Sequence, residues 1–190
     1  MERINLAIEI LKQGSIVIFP TDTAFAIGCR IDNEKSVKRL FALRKRSADK
    51  AVPVLVSSLE MAREFWMEPI SSTVSDFTHS YWPGAVTIVY TAQKGKIPSL
   101  VLGGGETVGL RMPNHKTALN LITGVGVPLV GTSANFAGEK TPYNLADLNP
   151  ELVKLVDLVV PGECSLKKAS TVIDCTIDPA KIIRQGAIIV

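Results

Sequence analysis

Apolar residues in this chain come in short runs, most of them cut off by glycine, proline, hydroxyl residues or charge, and this punctuation divides the sequence into many helix- and strand-sized pieces. None of the runs approaches the roughly 18 to 20 residues that span a bilayer. Ile4, Ala7, Ile8 and Leu11 recur at helical spacing and Gly14 ends the pattern, which predicts an opening helix. Ile16 to Phe19 then reads as a buried strand stopped by Pro20. Asp32, Asn33 and Glu34 offer a cap for a second helix through about Leu43, with Val37, Leu40 and Phe41 on its apolar stripe. A strand at Val52 to Val56, a helix opened by the capping box Ser57-Ser58-Leu59-Glu60 and reaching Phe65 or Trp66, and a short helix from Ser72 to Tyr81 follow.

The second half predicts strands at Val86 to Thr91, Val108 to Met112, Leu129 to Thr132, Leu158 to Val160, Thr171 to Cys175 and Ile182 to Arg184, with a helix near Thr117 to Ile122. Helices and strands alternate early while β segments crowd later, so the expected class is α/β with a mixed, partly antiparallel sheet and no strict βαβ repeat. At 190 residues and 46% hydrophobic content the chain can bury one core and falls short of two ordinary domains, so residues 1–190 are read as a single domain. The N-terminal segment reads as neither a signal peptide nor a membrane anchor. Cys29, Cys164 and Cys175 are odd in number and too widely spaced for a Cys-x-x-Cys motif, which points to a reducing cytosol. A net charge of +3 is mildly basic and compatible with an anionic ligand.

Several segments concentrate ligand-binding groups. Pro20 to Gly28 leaves the first strand through Thr21, Asp22 and Thr23, where open α/β sheets commonly bind ligands. Those side chains suit a small polar substrate, and equally a turn that satisfies its own backbone. Arg44, Lys45 and Arg46, with Lys50 close behind, gather cations at a helix end, either facing the helix dipole and solvent or clamping a triphosphate. Gly131-Thr132-Ser133-Ala134-Asn135 follows a strand and runs on to Gly138 and Thr141. Small residues admit a ligand close to the backbone and the polar groups can bond phosphate, ribose or base, although a plain turn reads the same way. Arg111 and Arg184 each end an apolar strand, as a surface or paired residue or as the holder of a carboxylate or nucleotide.

Absences narrow the chemistry. With only His79 and His115, and no His-Glu-x-x-His, Gly-x-Ser-x-Gly or Walker-type sequence, the chain points away from zinc enzymes, serine hydrolases and P-loop ATPases. Gly103-Gly104-Gly105 is followed at once by Glu106 and reads as a flexible turn.

Taken in order, Pro20-Thr21-Asp22-Thr23 through Gly28, the basic stretch Arg44 to Lys50, Tyr81-Trp82-Pro83-Gly84, and Leu110-Arg111-Met112-Pro113 with His115 make a specific set. Thr132-Ser133-Ala134-Asn135, Ser170-Thr171-Val172-Ile173-Asp174 and Arg184-Gln185-Gly186 complete it. Together they resemble the YrdC-like family of threonylcarbamoyl-AMP synthases over nearly the whole chain. The resemblance implies an open, twisted α/β fold whose concave, positively charged face holds ATP and L-threonine. It implies that Arg44, Arg46, Ser133, Asn135, Thr141 and Arg184 line the nucleotide site, with Arg44 and Arg46 as its catalytic cations. Thr23, Phe25, Arg111, Gly131 and Ser170 would surround the threonine. Arg44 stands where the family usually has lysine, Phe25 where tyrosine is common, and Ala26 where glycine is usual.

The same resemblance implies conversion of L-threonine, bicarbonate and ATP to threonylcarbamoyl-AMP and pyrophosphate, for threonylcarbamoyl-adenosine modification of tRNA in the cytoplasm. Magnesium (Mg2+) is expected to arrive with ATP, since no dedicated cluster of metal ligands is visible. tRNA and a threonylcarbamoyl transferase complex are the implied partners. The alternatives are a non-catalytic RNA-binding module, against which the lack of interleaved aromatics counts, and a paralogue that makes a different adenylate.

Overall fold

A nine-stranded mixed sheet organises residues 2–190, which the computed structural model describes. Helix α1 (Glu2–Lys12) precedes the hairpin of β1 (Val17–Pro20) and β2 (Phe25–Arg30), and α2 (Glu34–Leu43), β3 (Val54–Leu55), α3 (Leu59–Arg63) and α4 (Ser72–Tyr81) follow. Then come β4 (Val86–Thr91), α5 (Ser99–Leu102), β5 (Thr107–Arg111), α6 (Lys116–Val125) and β6 (Leu129–Ser133). A 3-10 turn at Leu145–Asp147, α7 (Pro150–Leu155), β7 (Leu158–Val159), β8 (Thr171–Asp174) and β9 (Lys181–Arg184) complete the order. The strands lie in the sequence β7-β1-β2-β6-β3-β5-β4-β8-β9. Parallel pairs (β1 with β7, β3 with β5, β4 with β8) are interspersed with antiparallel ones, as expected of a mixed sheet. None of the described helices is long and apolar enough to cross a membrane.

Local chemistry accounts for the element ends. Asn33 Oδ1 accepts from the Ser36 amide at 3.1 Å and opens α2. Ser58, one residue later than the expected box begins, accepts from the Met61 amide at 3.1 Å and opens α3. Three short elements went unpredicted: α5, the 3-10 turn and α7. Of these α7 carried a signal, for Asn149 accepts from the Glu151 amide at 2.9 Å and Pro150 takes the first helical position.

The largest departure follows Pro20. The loop read as running to Gly28 closes within Thr21–Ala24, and Phe25–Arg30 is a strand paired with both β1 and β6. The Thr21 hydroxyl makes the tight reversal possible: it donates to the Ala24 carbonyl at 2.7 Å and accepts from the Thr23 and Ala24 amides, each at 3.2 Å. Gly28 is required by close approach, because a Cβ there would land on the Val130 carbonyl oxygen of β6.

Strand periodicity divides the core between two faces. Ile18, Phe25, Ile27, Ile88, Val108 and Leu110 join the larger cluster, which α2 closes with Val37, Leu40 and Phe41. Val17, Phe19, Ala26 and Leu129 face the other way, onto Ala7 and Leu11 of α1 and Ala118, Leu121 and Ile122 of α6. That second helical layer covers the β1–β2–β6 end of the sheet. Beyond it, on the same face, Thr87 and Val89 of β4, Thr107, Gly109 and Arg111 of β5, and Val172 of β8 line an open cavity.

Candidate active site

The cavity has a volume of about 500 Å3, within the range of small-molecule sites. It is walled by the β1–β2 turn, the loop after α2, the end of β6 and the β8–β9 pair. Thr23, Phe25, Arg46, Arg111, Gly131, Ser133, Thr141, Ser170 and Arg184, scattered through the sequence, all line it. Among the described residues, no aspartate, glutamate or lysine does. Gly109 and Gly131 leave the floor without side chains, and a Cβ at Gly131 would meet Leu55.

Arg111 leaves β5 into the cavity and is almost wholly buried. Its Nε donates to the Gly84 carbonyl at 2.9 Å, Nη1 to Thr23 Oγ1 at 2.7 Å, and Nη2 to Asp22 Oδ1 in a buried ion pair. Three of a guanidinium's five N–H groups are thereby used, and one hydrogen remains on each terminal nitrogen. Desolvation is the chief influence pulling Arg111 below the usual arginine range; Asp22 opposes it, and the charge of Arg184 adds to it. Asp22, read from sequence as a possible substrate contact, is absent from the cavity lining and serves as the counter-ion of Arg111.

At the opposite edge Arg184 holds the start of β8. Its Nε and Nη2 donate to the Ser170 carbonyl at 3.1 and 2.9 Å, and Nη2 also donates to Ser170 Oγ at 3.1 Å. Ser170 Oγ lies 2.9 Å from Thr87 Oγ1. Thr87, Thr107 and Gly109 were absent from the sequence reading of the site. Counting back by twos along β5 from Arg111 would have found Gly109 and Thr107; Thr87 is brought beside Ser170 only by strand pairing.

The basic stretch separates into different roles. Arg44 caps α2 and Lys45 takes a left-handed conformation (φ 52°). The amides of Lys45 and Arg46 return to the Ala42 and Phe41 carbonyls at 3.0 Å each, a Schellman ending with lysine where glycine is commonest. This reversal sends neighbouring cations apart. Arg46 lines the cavity, anchored by bonds from Nε and Nη2 to the Lys50 and Ala51 carbonyls at 3.2 and 2.7 Å. Lys45 lies over the Phe136 ring, 5.1 Å from its centroid.

Arg44, expected to line the nucleotide site as a catalytic cation, is buried beneath the Thr132–Asn135 loop and does not line the cavity. Its guanidinium donates to Thr132 Oγ1 at 2.8 Å, the Asn135 carbonyl at 2.9 Å, Asn135 Oδ1 at 3.3 Å and Ser133 Oγ at 3.4 Å. No carboxylate pairs with it among the described residues. Burial first, and the charge of Arg46 second, pull its pKa down to about 10. Asn135 also lies behind the lining, its amide nitrogen tied to the Phe136 and Glu139 carbonyls at 2.9 Å each. Arg44 and Asn135 therefore shape the loop that presents Ser133.

Three guanidinium groups and several hydroxyls thus face one space without a lining acid. Burial pulls Arg46, Arg111 and Arg184 below the usual arginine range. Such a surface suits a ligand with more than one anionic group.

Known proteins share this architecture. A crystal structure of Pyrococcus abyssi Sua5 complexed with L-threonine is 30% identical, with a TM-score of 0.89 over 96% of this chain and 54% of that one. The structure of Escherichia coli YciO is 26% identical, with a TM-score of 0.85 over 96% of this chain and 88% of its own. Among curated proteins, the threonylcarbamoyl-AMP synthase of Pyrococcus abyssi is 30% identical over 98% of this chain. The present chain spans only about half that relative's length, 54%. A family model named for Sua5, YciO and YrdC and described as "Telomere recombination" matches residues 9–186, so the chain belongs to the Sua5/YciO/YrdC family.

Proposed function

We propose that the protein is a threonylcarbamoyl-AMP synthase. The observation that carries this reading is the acid-free cavity on which Arg46, Arg111 and Arg184 converge, suited to the carboxylate of an amino acid and the phosphates of a nucleotide together. The amine of L-threonine attacks carbon dioxide derived from bicarbonate and loses a proton, giving a carbamate. A carbamate oxygen then attacks the α-phosphorus of ATP, the bond from that phosphorus to the bridging oxygen of the β-phosphate breaks, and pyrophosphate leaves. No protein nucleophile takes part in this scheme, so positioning and charge stabilisation do the catalysis.

Arg111 and Ser170 hold the threonine carboxylate, with Thr23 steadying Arg111 as an acceptor, while Arg46 and Ser133 contact the phosphates, with Arg44 and Asn135 acting through the Ser133 loop. Among the described residues no cluster of acids, histidines and cysteines is suited to a metal ion, and no carboxylate lines the cavity. Magnesium in this scheme enters on the phosphates of ATP, whose charge it helps to offset. The adenylate then serves a transferase that modifies tRNA.

Pyrophosphate release is the test, with L-threonine and bicarbonate added or omitted in turn. The expected result is release only when both are present, strongly reduced in Arg46→Ala. ATP-dependent release without threonine would mark a paralogue with another adenylate product. No release under any combination, with RNA bound, would mark the non-catalytic alternative.

A further inference from the structure

The hydroxyls of Thr87 and Ser170 admit a proton inventory. Arginine only donates, so Ser170 Oγ accepts from Arg184 Nη2 at 3.1 Å. The other neighbour of Ser170 Oγ is Thr87 Oγ1 at 2.9 Å, and Thr87 Oγ1 makes no other hydrogen bond among the described residues. If Thr87 donates, both acceptor positions of Ser170 are filled, and the single Ser170 hydrogen has only the cavity to point into. The charge of Arg184 favours this arrangement for an anionic ligand, because a hydroxyl that accepts from a cation becomes a stronger donor.

The strands around Thr87 hold it in the required rotamer. β4 lies between β5 and β8, and on the β5 side a Cβ at Gly109 would meet Thr87 Cγ2 at 3.1 Å. Glycine there gives the Thr87 methyl a seat over β5, and the hydroxyl is turned towards Ser170 beside β8. A β-branched side chain is stiff at χ1, so seating the methyl also aims the oxygen. Thr87 is buried and still part of the cavity wall.

We propose that Thr87 is a positioning residue that makes Ser170 an obligatory hydrogen-bond donor to the anionic group of the ligand, with Gly109 setting the Thr87 rotamer. This rests on the reading that the cavity takes a carboxylate. Ser170 would then discriminate: an anion or carbonyl is accepted at that position, and an amine or ammonium finds no lone pair.

Calorimetric titration of Thr87→Val and Thr87→Ser with L-threonine and with ATP, beside melting curves, tests the proposal. Thr87→Val keeps the branched shape and should weaken threonine binding about 5- to 10-fold, the effect of one hydrogen bond to a charged system. ATP affinity should stay within about twofold, and Thr87→Ser should restore threonine binding, as expected when only the hydroxyl is needed. Unchanged threonine affinity in a folded Thr87→Val protein, or an equal loss for both ligands that serine does not relieve, overturns the proposal. A neutron structure of the ligand-free protein after deuterium exchange gives a readout that needs no substrate. The Thr87 deuterium should lie on the line to Ser170 Oγ; a Ser170 deuterium aimed at Thr87 refutes the assignment. A wild-type protein that takes no threonine would instead refute the substrate reading, with the neutron map still deciding the donor direction.

Discussion

Truncating Arg44 to alanine sets two large effects against each other. The side chain is a buried cation with no carboxylate partner, and burial brings its pKa from 12.5 down to about 10. At ~1.4 kcal/mol per unit, holding that charge inside the fold costs on the order of 3 kcal/mol. Against this stand two short hydrogen bonds, to Thr132 Oγ1 at 2.8 Å and the Asn135 carbonyl at 2.9 Å, and two longer ones. Bonds from a charged donor contribute roughly 1.5–3 kcal/mol each, so the short pair and weaker contributions from the long pair give on the order of 6 kcal/mol. Arg44→Ala should therefore lose about 3 kcal/mol net, which for a chain of this size lowers Tm by roughly 6–12 °C. Arg44→Lys keeps the charge but presents one ammonium in place of a fork, and should fall between wild type and alanine. Differential scanning calorimetry measures both, and ATP titration should show weakened binding in Arg44→Ala as the Ser133 loop loosens. An alanine variant that melts within about 2 °C of wild type would refute the bracing role, since that shift corresponds to under 1 kcal/mol.

Asp22→Asn removes the counter-charge of buried Arg111 and should cost about 3–5 kcal/mol in urea unfolding, with a shift under ~1 kcal/mol showing that the ion pair is dispensable. Gly28→Ala drives a methyl into the Val130 carbonyl of the neighbouring strand and should cost about 3 kcal/mol or prevent folding; an unchanged urea midpoint would contradict the close approach. Desolvation pushes the Cys29 thiol from 9.0 up to about 12, with Arg39 opposing and Asp32 adding a little. The unfolded chain ionises first, so the contribution is intact below pH 9 and is lost at ~1.4 kcal/mol per pH unit between the two pKa values. Stability of wild type minus Cys29→Ala should fall across that alkaline window, and a flat difference would show that the thiol does not resist ionisation.

Element types were legible where the governing interaction is local. Asn33 caps α2 through a residue three positions away, and the alternation of Ile16, Val17, Ile18 and Phe19 distributes one strand between two cores. β2 was hidden because Pro20-Thr21-Asp22-Thr23 looks like a long polar loop. Its short reversal depends on where a single hydroxyl points, and its pairing with β6 joins residues about a hundred positions apart.

Part of the cavity lining could be named from the ordered motifs, since Thr23, Phe25, Arg46, Arg111, Gly131, Ser133, Thr141, Ser170 and Arg184 reach one space, whereas Arg44 and Asn135 lie behind it and Thr87, Thr107 and Gly109 were missed. The division of labour among them could not. Arg44 and Arg46 are equivalent in a string of letters, yet a left-handed Lys45 sends one under the Ser133 loop and the other into the cavity. Arg111 carried two readings, a paired structural residue or a site arginine; the structure pairs it with Asp22 and also sets it in the cavity wall, with a hydrogen remaining on each terminal nitrogen. Thr87 acquires its place beside Ser170 from the parallel pairing of β4 with β8. Chain spacing selects residue types and periodicity, whereas hydrogen-bond direction and counter-ion choice depend on atoms that only folding brings within about 3 Å of one another.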